Sequence, residues 1–258
     1  MKILVVMGSP RKGESYKAVQ KIESLMQAMG EVEFEYLWLK DAKLLPCRGC
    51  HACIKLGEQK CPLKDDTLDI QARMQAADGL ILATPVYSQQ VSYLMKLFID
   101  RYSYLWHRPR LFGKFVLGVA AGGGQFASTL KYIKACSEAW GCTYVTGLGV
   151  AHPDALVPKM RAKLEQDLQK TARHFFDAVQ AGTVPAPSLG KLLWFRMWRI
   201  NARACRGENP TDFGYWQEKG WFEQGYYTGA RIHPIHRLLA SVIEPLILRM
   251  MRGIYMGY

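Results

Sequence analysis

Apolar and polar positions along this chain alternate between two rhythms. Residues 2 to 8 form a nearly continuous β-branched and apolar run, the pattern of a strand buried on both faces of a parallel sheet. From Ser15 to Met29, Val19, Ile22, Leu25, Met26 and Met29 recur on one helical stripe. Glu31 to Leu39 then alternates, with Val32, Phe34, Tyr36 and Trp38 on one side and charges largely opposite. Further on, Asp66 to Ala77 reads as a helix, Gly79 to Ala83 as a strand, Val91 to Trp106 as a helix and Phe115 to Ala121 as a strand. A helix over Phe126 to Trp140, a strand over Thr143 to Val150 and a long helix over Pro158 to Val179 complete the series. Strands alternating with helices at this pitch predict an α/β fold, a doubly wound sheet of five parallel strands.

In such a sheet a ligand, a flavin in the five-stranded version, lies at the switch point outside the carboxyl ends of the strands. Three loops reach that edge: Gly8 to Ser15, Thr84 to Gln90 and Ala120 to Gln125, all rich in Gly, Ser, Thr or Pro. In the first, Ser9, Arg11, Lys12 and Ser15 offer hydroxyls and cations beside a helix N-terminus, the chemistry that holds a phosphate. An ordinary strand-to-helix turn with a Ser cap has the same look. Glu14 in that loop is repulsive to a phosphate unless it turns outward. In the second loop, the backbone amides and Tyr87 suit a planar ring, with a strand end and helix cap as the plain reading. In the third, Gly122, Gly123 and Gly124 allow close backbone approach to a ligand or form a flexible turn.

The cysteines add a different chemistry. Four of the seven fall at Cys47, Cys50, Cys53 and Cys61, a spacing at which thiolates can converge on one point. A [4Fe-4S] centre takes four thiolates, zinc could use the same set, and a metal-free loop with a structural or redox role is the third reading. Cys136, Cys142 and Cys205 read as core or surface thiols. His51 reads as an exposed loop residue, and Asp65 and Asp66 as caps of the next helix. Cysteines clustered in this way fit a reducing compartment better than a disulfide scaffold. With no long apolar segment and no cleavage signal before the first strand, a cytoplasmic location is expected.

After a turn-rich linker at 182 to 188 the composition changes. The expected division is a domain over 1–182 and a basic, aromatic-rich, mainly helical extension over 183–258. Residues 186 to 258 hold 10 Lys and Arg against 5 Asp and Glu, a net +5 of the chain's +12. Arg196, Arg199 and Arg203 share one face of a helix predicted from Lys191 to Arg203, with aromatics between. A second apolar helix is predicted from Ile235 to Met251, interrupted at Pro245. Interleaved Arg and aromatic residues suit an interfacial helix, so a peripheral membrane contact is one reading. The other is a tail folded back over the body or over a second copy, burying Trp194, Trp198, Trp216 and Trp221. Positive charge without a recognised module predicts no nucleic-acid partner.

The order of Gly-Ser-Pro-Arg-Lys at 8 to 12, the four-cysteine segment ending in Asp65-Asp66, Ala77-Asp78-Gly79, Thr84-Pro85-Val86-Tyr87 and Leu97-Phe98-Ile99-Asp100-Arg101 resembles the NADPH-dependent FMN reductase-like flavoproteins, in particular their iron-sulfur flavoprotein branch. Over roughly residues 1 to 180 the resemblance implies a flavodoxin-like fold, non-covalent FMN and a homo-oligomer, dimer or tetramer, in which a neighbouring subunit helps cover the flavin. It also implies that Ser9, Arg11, Lys12 and Ser15 take the FMN phosphate and that Pro85, Val86, Tyr87 and Ser88 line the isoalloxazine. Gly122, Gly123 and Gly124 would lie by the ring or ribityl chain. The function expected is an FMN-dependent oxidoreductase passing electrons from NAD(P)H to a small electrophile such as a quinone or free flavin. The alternative is an electron carrier with a cluster relaying single electrons to a protein partner. No residue is expected as a catalytic acid or nucleophile, because the flavin itself carries the redox chemistry.

Overall fold

The first element, strand β1 (Lys2–Met7), is apolar at nearly every position and is buried on both faces from Ile3 onward, as a central parallel strand requires. In the computed structural model, which describes residues 1–254, it is followed by α1 (Glu14–Gln27), β2 (Glu33–Trp38), α2 (Ala52–Lys55) and α3 (Thr67–Ala76). Then come β3 (Gly79–Tyr87), β4 (Gln90–Val91), α4 (Tyr93–Arg101), β5 (Phe115–Ala121), α5 (Phe126–Ala139), β6 (Thr143–Val150) and α6 (Pro158–Ala181). The chain continues through α7 (Leu189–Ala204), α8 (Pro210–Glu218) and α9 (Pro234–Ile254). Contacts divide it into two units. One comprises Met1–Arg48 and Leu63–Thr183, the other Gly49–Pro62 together with the chain from Val184 onward.

In the first unit the sheet order is β2-β1-β3-β5-β6, with all four pairings parallel, and β4 pairs antiparallel with the end of β3. This is the doubly wound, flavodoxin-like arrangement, with β4 as a short arm beyond the five parallel strands. One core lies between the sheet and the apolar faces of α1 and α6, where Val19, Ile22, Met26, Phe175 and Phe176 meet Ile3, Val5, Ile81 and Leu117. Each such side chain contributes roughly 1.5–3 kcal/mol by leaving water. Two carboxylates lock the frame. Asp78 accepts the Lys2 N–H at 2.8 Å, joining the start of β3 to the start of β1. Asp65 takes a forked pair of hydrogen bonds from Arg101 at 2.9 and 3.2 Å, with both side chains almost wholly buried.

Three boundaries differ from the sequence reading. The second loop is a β-hairpin: β3 continues through Pro85 to Tyr87 and turns on Ser88-Gln89 into β4. Pro85 sits on the last rung of the ladder to β5, opposite Ala121, where a strand best tolerates a missing N–H. The helix expected over 91–106 ends at Arg101, and Ser103–Trp106 is a separate 3-10 turn. Pro245 does not interrupt α9, which runs through it.

The second unit has an aromatic centre. Trp216 stacks on Phe195 at 5.5 Å, Trp221 meets Trp216 edge-on at 5.2 Å, and Tyr227 packs on Phe195 and Trp221 at 4.7 and 4.8 Å. Residues 49–62 group with this unit, away from the 1–182 division read from the linker. The Thr211 hydroxyl donates to the Lys55 carbonyl at 2.7 Å, and α2 packs on α8. Helix α8 was not anticipated, since its Pro, Gly and aromatic residues give no clear amphipathic stripe. The basic face of α7 is turned to internal use. Arg196 and Arg199 both pair with Glu244 of α9, and Arg203 donates to the Phe222 carbonyl at 2.8 Å. Glu244, shared by two of the three arginines, offsets one positive charge of this face within the unit. Trp216 and Trp221 are buried as expected, whereas Trp194 is exposed and Trp198 only partly covered.

Candidate functional site

The carboxyl ends of β1, β3, β5 and β6 open onto one cavity of about 250 Å³. It is lined by Ser9, Arg11, Gly13, Glu14 and Ser15 from the first loop and by Pro85, Val86 and Tyr87 from β3. Ala121, Gly122 and Gly123 close it from β5, and His152 from just beyond β6.

The first loop is held in shape by its own hydrogen bonds. Buried Ser9 donates its hydroxyl to the Arg11 carbonyl at 2.6 Å and accepts the Arg11 N–H, while the Gly13 N–H returns to the same carbonyl at 2.9 Å. Helix α1 begins on Gly13 with no side-chain cap, so its first-turn N–H groups are not taken by one. The loop's entry is fixed from α4. Ser92, itself buried, donates to the Gly8 carbonyl and caps α4 by accepting the Met95 N–H, while its own N–H donates to Thr84. A side chain at position 8 would meet Met95 Cβ at 2.9 Å, so only glycine fits.

Glu14 lines the cavity, yet its carboxylate is engaged. Oε1 pairs with Lys17 at 2.9 Å and lies 3.9 Å from His152 Nε2. Lys17 thereby offsets the repulsion that an acidic group presents to an anion at this helix terminus. The hairpin that carries the second wall turns on Ser88 and Gln89, both in the left-handed region at φ 49° and 66°. This geometry belongs to a two-residue turn of the kind Asn-Gly favours. Ser128 of α5 holds the turn by donating to the Gln89 carbonyl at 2.7 Å. Tyr87 stands at the rim, 47% exposed. The third wall owes its shape to Gly122, where a Cβ would press on Val86 Cβ at 3.2 Å.

The structure therefore brings Ser9, Arg11, Ser15, Pro85, Val86, Tyr87, Gly122 and Gly123 around one space. Lys12, Ser88 and Gly124 do not line it. Lys12 lies over the Tyr16 ring at 5.5 Å, and Ser88 forms the turn of the hairpin. His152 is the lining residue that the sequence reading missed. Its position directly after the fifth parallel strand, at the same sheet edge, was the available signal.

The donor set fits the phosphate and ring of FMN. It combines an uncapped helix N-terminus, two buried hydroxyls, an exposed Arg and small backbone-exposing residues facing one opening. The cysteine segment gives a metal centre no such support. Among the described residues no group of three or more His, Cys, Asp or Glu stands within reach of one ion. Cys47 and Cys50 are exposed, Cys53 lies in the single turn of α2 and Cys61 ends the 3-10 turn at Glu58–Lys60. The ligand set Cys47, Cys50, Cys53 and Cys61 expected from the sequence thus has no support from the described residues. Cys136 and Cys142 are buried, and burial pushes the Cys136 thiol up to about 11, which leaves it unreactive at neutral pH.

Residues 1–152 match the family described as NADPH-dependent FMN reductase. An iron-sulfur flavoprotein from Archaeoglobus fulgidus is 35% identical over 156 residues, covering 58% of this chain and 70% of its own length. The crystal structure of an FMN-dependent NADH-azoreductase from Bacillus anthracis in complex with FMN superposes with a TM-score of 0.50 at 16% identity, over 67% of this chain and 97% of that one. RosB, crystallised with an 8-demethyl-8-formylriboflavin-5'-phosphate intermediate, superposes with a TM-score of 0.56 at 12% identity, over 91% of this chain and 92% of that one. At these identities the two structures bear on the fold alone.

Proposed function

This chain belongs to the NADPH-dependent FMN reductase family, and from that premise we propose that it is an FMN-dependent NAD(P)H oxidoreductase acting on a small electrophilic acceptor such as a quinone or free flavin. The observation that carries the reading is the single cavity where the three ligand-type loops meet. Ser9, Ser15, Arg11 and the start of α1 bind the phosphate, with Lys12 adding positive charge to the same loop. Pro85, Val86 and Tyr87 present a flat wall to one side of the ring, and Gly122 and Gly123 let the backbone approach it. Ser88 and Gly124 shape the two loops from behind. Bound FMN supplies hydride acceptance from a nicotinamide and onward transfer of one or two electrons. No side chain is asked to act as acid or nucleophile.

A homo-oligomer is part of the same reading, with a neighbouring subunit covering Tyr87 at the rim. A cluster-bearing electron carrier, suggested by the relatives' name, has no support from the geometry of the cysteine segment, and no step is routed through iron.

The test is anaerobic mixing of the FMN-loaded protein with NADPH and, separately, NADH, following the flavin absorbance. Bleaching by a nicotinamide alone and recovery on adding a quinone are expected. Failure to retain FMN, or no bleaching with either donor, would overturn the proposal. Iron assayed on protein purified without oxygen is expected to be absent, and about four irons per chain would restore the carrier reading.

A further inference from the structure

Helix α9 leaves one apolar face uncovered. Ile235, Leu238 or Leu239, Val242, Leu246 and Met250 recur at three- and four-residue steps, which places them on a common stripe. All six are exposed, from 41% at Leu239 to 66% at Leu238. The opposite face is occupied: Ala240 and Met251 are buried, and Glu244 is gripped by Arg196 and Arg199 of α7. Isolated exposed leucines need no explanation, but a continuous stripe along a whole helix marks a contact surface.

The charges around the stripe indicate what covers it. Glu244 is the only acidic residue of α9 and is spent inward, whereas Arg249 and Arg252 are exposed. Arg249 falls within the stripe itself, one turn beyond Leu246. The outward surface is thus apolar and purely cationic. A second copy of this helix would set arginine against arginine if parallel and in either orientation would offer Arg249 no acidic partner from its outward face, whereas an anionic lipid surface satisfies both features at once. Apolar side chains enter the acyl boundary and the guanidinium groups meet the headgroups. The helix does not span: no helix among the described residues is long and apolar enough to cross a membrane.

We propose that α9 lies in the plane of an anionic membrane surface and docks the protein there through its Ile235-to-Met250 stripe, with Arg249 and Arg252 on the headgroups. The proposal is independent of the flavin chemistry, since none of these residues borders the cavity.

The experiment is flotation of the full chain with vesicles of phosphatidylcholine alone and of phosphatidylcholine mixed with phosphatidylglycerol. Flotation with the mixed vesicles only is expected, and it is expected to be lost in Val242→Glu with Leu246→Glu, whose exposed positions leave the circular dichroism unchanged. Arg249→Gln with Arg252→Gln should weaken binding about thirtyfold, the effect of two headgroup charges. Equal flotation on both vesicle types, no flotation on either, or retention by the Glu variant would overturn it. So would a sedimentation change from oligomer to monomer in the Glu variant without vesicle binding, which would assign the face to a second copy.

Discussion

The Ser92 hydroxyl donates to the Gly8 carbonyl at 2.5 Å, across 84 residues of sequence, and both groups are buried. This bond ties the first residue after β1 to the first turn of α4, and the Thr84 hydroxyl joins through the Ser92 N–H at 3.0 Å. The loop proposed for the phosphate and the strand proposed for the ring are thus anchored at one point. Ser92→Ala should lower unfolding stability by about 1–3 kcal/mol, the cost of a lost cap and an unsatisfied buried carbonyl. It should also weaken FMN binding, read by fluorescence titration, although residue 92 does not line the cavity. An unchanged FMN affinity would show that the anchor is structural alone.

Glu14 is the acidic residue among the cavity's cations. Glu14→Gln should tighten FMN binding about two- to tenfold, as expected on removing a nearby like charge near the surface. Weaker binding in that variant would mean that the Glu14 to Lys17 pair organises the loop rather than merely tempering it.

Burial tends to raise the Asp65 carboxyl, but the Arg101 guanidinium, Thr67 and the Leu45 N–H outweigh it and hold the carboxyl below the ordinary range. A depressed native value means that the pair's contribution is full above the unfolded carboxyl's pKa and is lost as pH falls through the lower native one. Asp65→Asn should cost about 3–5 kcal/mol at neutral pH by breaking its buried pair with Arg101. In denaturant titrations the gap from the parent protein should narrow below about pH 4.

The Ser88-Gln89 turn carries two left-handed residues that lack glycine's freedom. Gln89→Gly should raise stability by about 1 kcal/mol, because the native backbone there is one that glycine reaches without a Cβ clash. A lower thermal midpoint would show that the Gln89 side chain supplies more than the turn costs.

Much of this was readable before any fold existed. The apolar run at residues 2 to 8 and the regular strand and helix periods specify a doubly wound sheet, because burial on both faces and amphipathic helices leave few other arrangements. The edge where a ligand sits follows from that topology, so Ser9, Arg11, Tyr87 and Gly122 were identifiable as neighbours. Other features depend on partners remote in sequence. Glu14 could be seen as repulsive but not as paired to Lys17, and His152 joins the cavity only because β6 ends beside α1. Cysteine spacing suggested convergence, whereas no such group of ligands is found among the described residues. The arginines of α7 looked like a free basic face until α9 supplied Glu244. Sequence alone determined the fold and the site's edge, since those rest on periodicity along the chain. Which charges are spent, and which apolar face stays open, only the tertiary structure decided, since both depend on what stands opposite each side chain.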